Sequence, residues 1–399
     1  MIPSRRAILS LMATGGAASL GWPGAVFAAA PTDRRLVVVL LRGALDGLAA
    51  VPPLGDPLYV EKRGKLAIAA PGQPDGALPL DGFFGLHPAL APIETYWKNG
   101  ELLVVAATGN GYRTRSHFDA QDLMETGLAM KRRQTDGWLN RALGAMPGTD
   151  RRLGLAVGGA VPLILRGQTE VATWEPPGLP QAAPEFIVTL ASIYQRDALL
   201  GPALAEGLRG QSRSDEVLGM RKPGLAGYGP KSFRPLAEAA GKLLAAENGP
   251  RVAVLDMLGW DTHVNQGAEK GRLADNLSGL AEGLDALARN LGQVWNRTVV
   301  VAVTEFGRTV AVNGSGGTDH GTATVALLLG GAVRGGRILG DWPGLARLED
   351  GRDLRVAVDT RSLLKGVLRD HLGLDAGAIE RKVFPDSASV SAASNLIRV

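Results

Sequence analysis

Three of the five histidines in this 399-residue chain fall in polar clusters that also hold an aspartate. They occur in Ser116-His117-Phe118-Asp119, in Asp261-Thr262-His263 and in Asp319-His320. Imidazole and carboxylate together suit a divalent ion such as zinc or manganese. Any one pair also describes a solvated loop, and Asp261-x-His263 alone does not separate the two readings. Two further polar clusters follow apolar runs: Arg42-Gly43-Ala44-Leu45-Asp46-Gly47 and Thr304-Glu305-Phe306-Gly307-Arg308. The joint placement of carboxylates and imidazoles points to one shared site. His87 and His371 sit in other surroundings and read as structural.

The elements that must position these groups are short apolar runs: Leu36–Leu41, Leu102–Ala107, Val252–Leu258, Val299–Val303 and Val325–Leu329. The runs are continuous rather than alternating, which predicts parallel strands covered on both faces. Leu273, Leu277, Leu280, Leu284, Leu287 and Leu291 recur at steps of four and three, predicting an amphipathic helix between two of the strands. Open parallel sheets bind ligands beyond the carboxyl ends of their strands. Three clusters follow strands directly, and the Thr318–Gly321 cluster reaches the same rim by a Gly-rich loop. The expected fold is therefore α/β, a mostly parallel central sheet with helices on both faces. Prolines break up residues 165–235, leaving one plausible helix around Phe186–Ala205, and this stretch reads as an inserted cap. Ser116 with Asp119 three residues on resembles a capping box. Ser116 is then an ordinary helix cap, or a nucleophile favoured by the free N–H groups of a helix start.

The chain opens with a twin arginine, Arg5-Arg6, a modest apolar middle and the small-residue end Val26-Phe27-Ala28. That order describes an export leader handled by the twin-arginine machinery, with cleavage expected after Ala28 or, second, Ala30. The competing reading is a membrane anchor, but Gly15, Gly16 and Gly21 interrupt a run already shorter than the ~20 residues a span needs. The mature chain, residues 31–399, is expected to be one domain, periplasmic or secreted and without a stable membrane span. Cysteine is absent, which excludes disulfides, zinc-thiolate sites, iron–sulfur clusters and a thiol nucleophile. The net charge of +4 becomes +2 once Arg5 and Arg6 leave, and no basic run is interleaved with aromatics, so nucleic acid is not an expected partner.

Taken together, Arg42–Leu48, Leu58–Ile68, Leu80–Ala91, Ser116–Gly127, Asp136–Arg141, Gly259–His263, Thr304–Arg308 and Thr318–Gly321 resemble the family of exported proteins called domain of unknown function 1501. That family in turn looks like a distant branch of the alkaline phosphatase and sulfatase superfamily. The resemblance implies one or two divalent metals (Zn, Mn or Ca) at the strand ends and a nucleophile at a helix start. On it, Asp46, Asp261, His263, Glu305, Asp319 and His320 are the expected metal ligands and Ser116 stands at the nucleophile's position. Phe306 occupies a place where that superfamily carries a ligand histidine, so a one-metal or degenerate site is expected. His117 is not a standard feature; it either replaces the missing ligand or acts as a base.

The function this implies is metal-dependent hydrolysis of an anionic phosphate or sulfate ester. Arg113, Arg115 or Arg308 would grip the ester oxygens, and His117 or His263 would carry the leaving-group proton. Arg308 reads equally well as a partner in a sheet-end salt bridge. The alternative is a non-catalytic periplasmic protein that keeps the fold and binds an anionic ligand or a partner. An oxidoreductase is disfavoured because no Gly-x-Gly-x-x-Gly follows the first strand.

Overall fold

The computed structural model describes residues 32–130, 134–146, 153–175 and 230–398, with parts of 184–218. The leader with Arg5 and Arg6 lies outside them. Each apolar run is a strand, extended by at most two residues at either end: β1 (Arg35–Arg42), β2 (Leu102–Gly109), β5 (Val252–Leu258), β6 (Thr298–Val303) and β7 (Thr324–Leu329). Shorter strands complete a nine-stranded sheet: β3 (Gly154–Val157), β4 (Val171–Trp174), β8 (Arg337–Leu339) and β9 (Val358–Asp359). Its order is β8-β2-β7-β6-β1-β5-β3-β4, with β9 also pairing β2.

The continuity of the runs has its cause in two apolar layers. Val37, Val39 and Leu41 of β1 pack in one core with α4 (Pro230–Ala245) and α5 (Arg272–Leu291). Leu36, Val38 and Leu40 pack in another with α3 (Trp138–Ala145) and α6 (Thr360–Asp370). Alternate side chains point to opposite faces of a strand, so burial on both sides requires apolar residues at every position. All six leucines of the α5 stripe are buried against the sheet and α4. The mostly parallel α/β fold is as expected.

Two details differ from the sequence reading. Residues 171–174, placed by their proline-rich surroundings in a cap, form the edge strand β4, parallel to β3. From Pro230 onward the chain is α4, packed in the core with α5. Between them a helix spans Pro184–Tyr194, and much of the remaining stretch lies outside the described residues. The second difference is direction: β7 is antiparallel to both β2 and β6. An apolar run buried on both faces is silent about chain direction, so the parallel expectation had no means of detecting this. No helix among the described residues is long and apolar enough to cross a membrane.

Leu280 is fully buried in the layer between α5 and the sheet. Leu280→Ala is expected to lower the unfolding free energy by about 2–5 kcal/mol, from lost transfer energy and a residual cavity. Urea denaturation followed by circular dichroism measures it.

Candidate metal centre

Register brings the polar clusters together. Arg42 at the end of β1 lies opposite Leu258 at the end of β5, and Leu40 lies opposite Val303 at the end of β6. The loops that follow these three strands therefore leave the sheet abreast. Because β7 runs the other way, its beginning rather than its end reaches this rim, and His320 arrives there just ahead of it. Gly43 marks how closely the loops approach: its φ is 119°, and a Cβ there would lie 2.6 Å from the Asp261 nitrogen. No side chain fits that gap.

The fifth strand end, that of β2, leads through residues 110–116 into α2 (His117–Thr126). His117, Gln121 and Glu125 fall at steps of four on this helix and so share one face. His117 Nδ1 lies 2.8 Å from Glu305 Oε1, and the Gln121 amide donates to the same oxygen at 2.9 Å. Glu125 pairs with Arg42 at 2.7 Å. This polar stripe docks α2 on the rim and sets the direction of the His117 ring. Phe306 stacks behind that ring, with centroids 4.9 Å apart and planes 29° from parallel.

Three imidazoles converge through their Nε2 atoms. His320 Nε2 lies 2.9 Å from His117 Nε2 and 2.9 Å from His263 Nε2. Asp261 Oδ1 is 3.1 Å from His263 Nε2 and 3.3 Å from His320 Nε2, and Asp261 Oδ2 is 3.6 Å from His117 Nε2. Each ring is held from behind by a group that only accepts hydrogen bonds: His117 by Glu305, His263 by the Asp319 carboxylate at 3.1 Å, and His320 by the Arg115 carbonyl at 2.8 Å. An Nδ1 facing an acceptor carries the proton, which leaves Nε2 of the neutral ring as a bare lone pair. Three such lone pairs and a carboxylate facing one another repel unless a cation lies among them.

The electrostatics favour that state at Glu305, Asp261 and His320 and oppose it at His117. Glu305 is buried, which opposes its ionisation, yet hydrogen bonds from His117, Gln121 and Thr304 hold its carboxyl below the ordinary value. The same hydrogen bond raises His117, so at this ring a bound metal competes with a proton. Burial pushes His320 down, toward the neutral form that binds metal. Burial also works against Asp261, but Arg308, at 2.5 Å from Oδ1, more than offsets it and keeps the carboxyl ionised below its usual range. The donor set fits a divalent transition ion. Two nitrogens at 2.0–2.1 Å from one ion, about 90–110° apart, lie roughly 2.9–3.4 Å from each other. Ligands backed by second hydrogen bonds are the common pattern in metal sites.

Among the described residues, His117, Asp261 and His320 form one group of potential ligand atoms within 4.8 Å of one another. His263 adjoins it through His320 and Asp261. Three of the expected ligands have other occupations. Asp46 is buried, paired with Arg63 at 2.5 Å and bonded to Gln266 Nε2 at 2.6 Å, and it caps α1 (Gly47–Ala50) through the Ala49 N–H. Glu305 is consumed by His117, Gln121, Thr304 and the Gly43 N–H. Asp319 backs His263 rather than joining the group.

Several of the side chains expected in catalysis have partners of their own. His117 and His263 have both ring nitrogens engaged, so neither is placed to carry a leaving-group proton. Arg308 is buried against Asp261 and Thr318, the salt-bridge reading rather than the anion grip. Arg113 pairs with Glu349, and Arg115 with Asp350 and Asp353. Ser116 precedes α2 in extended backbone, and its hydroxyl makes no capping hydrogen bond. Asp119 instead accepts from the Tyr112 hydroxyl. The roles of Gln121, Gln266, Thr318 and Arg63 escaped the sequence reading. Only Gln121 had a usable signal, its one-turn spacing from His117.

A family model described as a protein of unknown function (DUF1501) matches residues 106–379, more than half of the chain and all four converging side chains. The chain belongs to that family. No curated protein matches it in sequence. Among solved structures it is similar to Ps i-CgsB in complex with k-i-k-neocarrahexaose, at 10% identity and TM-score 0.46, covering 89% of this chain and 74% of that one. It is also similar to the PsFucS1 sulfatase from Pseudoalteromonas sp., at 12% identity and TM-score 0.40, covering 92% and 74%. A third is the phosphonate monoester hydrolase of Agrobacterium radiobacter, at 11% identity and TM-score 0.36, covering 86% and 74%.

Removing the charge of Asp46 strands the Arg63 guanidinium, which is fully buried. Asp46→Asn is expected to cost about 3–5 kcal/mol, the range for an uncompensated buried charge. A fall in the chemical denaturation midpoint checks it.

Proposed function

We propose that this is an exported hydrolase of a phosphate or sulfate ester, dependent on one divalent ion held by His117, Asp261, His263 and His320. The observation that carries the reading is the convergence of three Nε2 lone pairs, each fixed by an acceptor at Nδ1, on one carboxylate. Three imidazoles favour zinc or another first-row transition ion over calcium, which prefers oxygen ligands. The export part rests on the leader alone.

Bound there, such an ion supplies Lewis acidity and lowers the pKa of a coordinated water or hydroxyl. The chain's own residues orient and exclude. Glu305, Asp319 and the Arg115 carbonyl hold the three rings in one tautomer. Arg308 keeps Asp261 ionised and turned toward them. Phe306 closes the back of the site to water. Ser116, at the positive end of α2 and free of a capping duty, is the candidate nucleophile in this reading.

A second reading is favoured by one observation: Arg113, Arg115 and Arg308 are all paired with carboxylates, so none of them is free to grip an ester anion. On that reading the protein is non-catalytic, keeps the metal as a structural element and binds an anionic ligand or a partner through other groups.

Metal analysis of the purified protein is expected to give one divalent ion per chain, absent in His320→Ala. Turnover of aryl phosphate or aryl sulfate should fall at least about a hundredfold in that variant and after chelation, the scale on which lost transition-state charge stabilisation is felt. Ser116→Ala should abolish turnover while retaining the ion. Turnover indifferent to both substitutions and to chelation would sink the hydrolase reading, and a metal-loaded protein silent on a broad ester panel would favour the second.

A further inference from the structure

Gln266 is fully buried three residues beyond His263 and touches neither solvent nor any of the four converging side chains' ligand atoms. Its carboxamide Nε2 donates to Asp46 Oδ2 at 2.6 Å. Its Oε1 accepts from the Thr262 hydroxyl at 2.7 Å and from the Thr318 hydroxyl at 2.7 Å. Asp46, ionised against Arg63, only accepts, so the amide has one possible orientation and both hydroxyl protons must point at Oε1. Thr318 Oγ1 then has lone pairs to spare, and it accepts from Arg308 Nε at 3.1 Å. Arg308 Nη1 in turn holds Asp261 Oδ1 at 2.5 Å.

These contacts form a directed relay. Thr262 lies between Asp261 and His263, and Thr318 lies two residues before His320. One side chain therefore fixes the spacing of the two loops that carry three of the four converging groups. Its anchor is rigid, because Asp46 also caps α1, while Arg63 reaches the Thr309 and Val310 carbonyls beyond β6 at 3.3 and 3.0 Å. The chain thus keeps a buried carboxylate at the end of β1 without using it as a ligand.

We infer that Gln266 is a positioning residue for the metal centre, setting the Asp261 carboxylate and the His263–His320 spacing through Thr262, Thr318 and Arg308. The inference rests on the metal reading given above and adds to it the group that tunes affinity. Gln266, Thr262, Thr318 and Arg308 each have a hydrogen-bond partner within the relay, and a partly satisfied buried network costs more than an apolar one. Removing the amide therefore leaves Asp46 short of a donor and both hydroxyls without their acceptor. The hydroxyls then reorient, and the Arg308–Asp261 contact loses its reference.

The test is Zn2+ titration of the full chain against a chromophoric chelator, with thermal unfolding of the metal-free and Zn2+-loaded forms. Gln266→Met keeps the length of the side chain and removes its donor and acceptor. The expected result is Zn2+ affinity 10–100-fold weaker, as for other second-layer partners of metal ligands, and a smaller rise in Tm on loading. A role in packing alone would lower both Tm values together and leave the affinity and the rise on loading unchanged; that result overturns the inference. Where Gln266→Met does not fold, Thr318→Val cuts the same relay with Gln266 in place and should weaken Zn2+ binding, while Thr318→Ser restores the hydroxyl and the affinity. Wild-type affinity in Thr318→Val overturns the inference as well. A wild-type chain that takes up no Zn2+ overturns the metal centre and this inference with it, whereas tight wild-type binding with an unaffected variant removes only the inference.

Discussion

The site depends on a proton that each of three imidazoles keeps at the back. Glu305, Asp319 and the Arg115 carbonyl accept that proton, and the front nitrogen of every ring is left as a lone pair aimed at its neighbours. Such an arrangement is costly by itself, since lone pairs and a carboxylate face one another and only His117, raised by Glu305, takes a proton readily. The fold holds it in place with strand ends, a helix start and a loop that are each fixed independently by the sheet. A cation relieves the repulsion, which is why the geometry carries a functional reading at all.

The carboxylates divide the work by depth. Asp261 is partly exposed and faces the imidazoles. Glu305 and Asp46 are buried; Glu305 meets the His117 ring only at its Nδ1, and Asp46 is taken up by Arg63 and Gln266. Buried carboxylates stay ionised only where donors or cations surround them, and each finds a different solution: Glu305 collects neutral donors and an imidazole, and Asp46 takes a guanidinium. Phe306 then fits naturally. The place where a further ligand was expected holds an apolar wall, and His117 enters the same space from α2, stacked on that wall.

Much of this architecture was legible in the residues. A run such as Val299–Val303 can only be buried on both sides, and the leucine spacing of 273–291 admits one helical face. A shared rim for His117, Asp261, His263 and His320 was legible from polar clusters at the ends of buried strands, but the expected ligand set held Asp46, Glu305 and Asp319 as well and gave His117 two possible roles. What was not legible is who neutralises whom. Nothing local to Asp46 announces that Arg63 will meet it, and nothing local to Glu305 announces His117, 188 positions earlier. Strand direction was equally hidden, since a symmetrical apolar run looks the same read either way.

The reversed strand β7 changes how His320 is delivered. Residues 304–323 leave the sheet from β6 and return to it in β7 at the same edge, pairing on the way, with Arg308 bridged to His320 and the Thr309 N–H bonded to the Asp319 carbonyl. A parallel strand would have needed a crossover through a whole helical layer to do this. Here the excursion is a hairpin clipped at its base, and its tip is pinned in turn to the His263 loop, with the Asn313 amide donating to the His263 carbonyl and the Asn265 N–H to the Ser315 carbonyl, so the two imidazole-bearing loops brace each other.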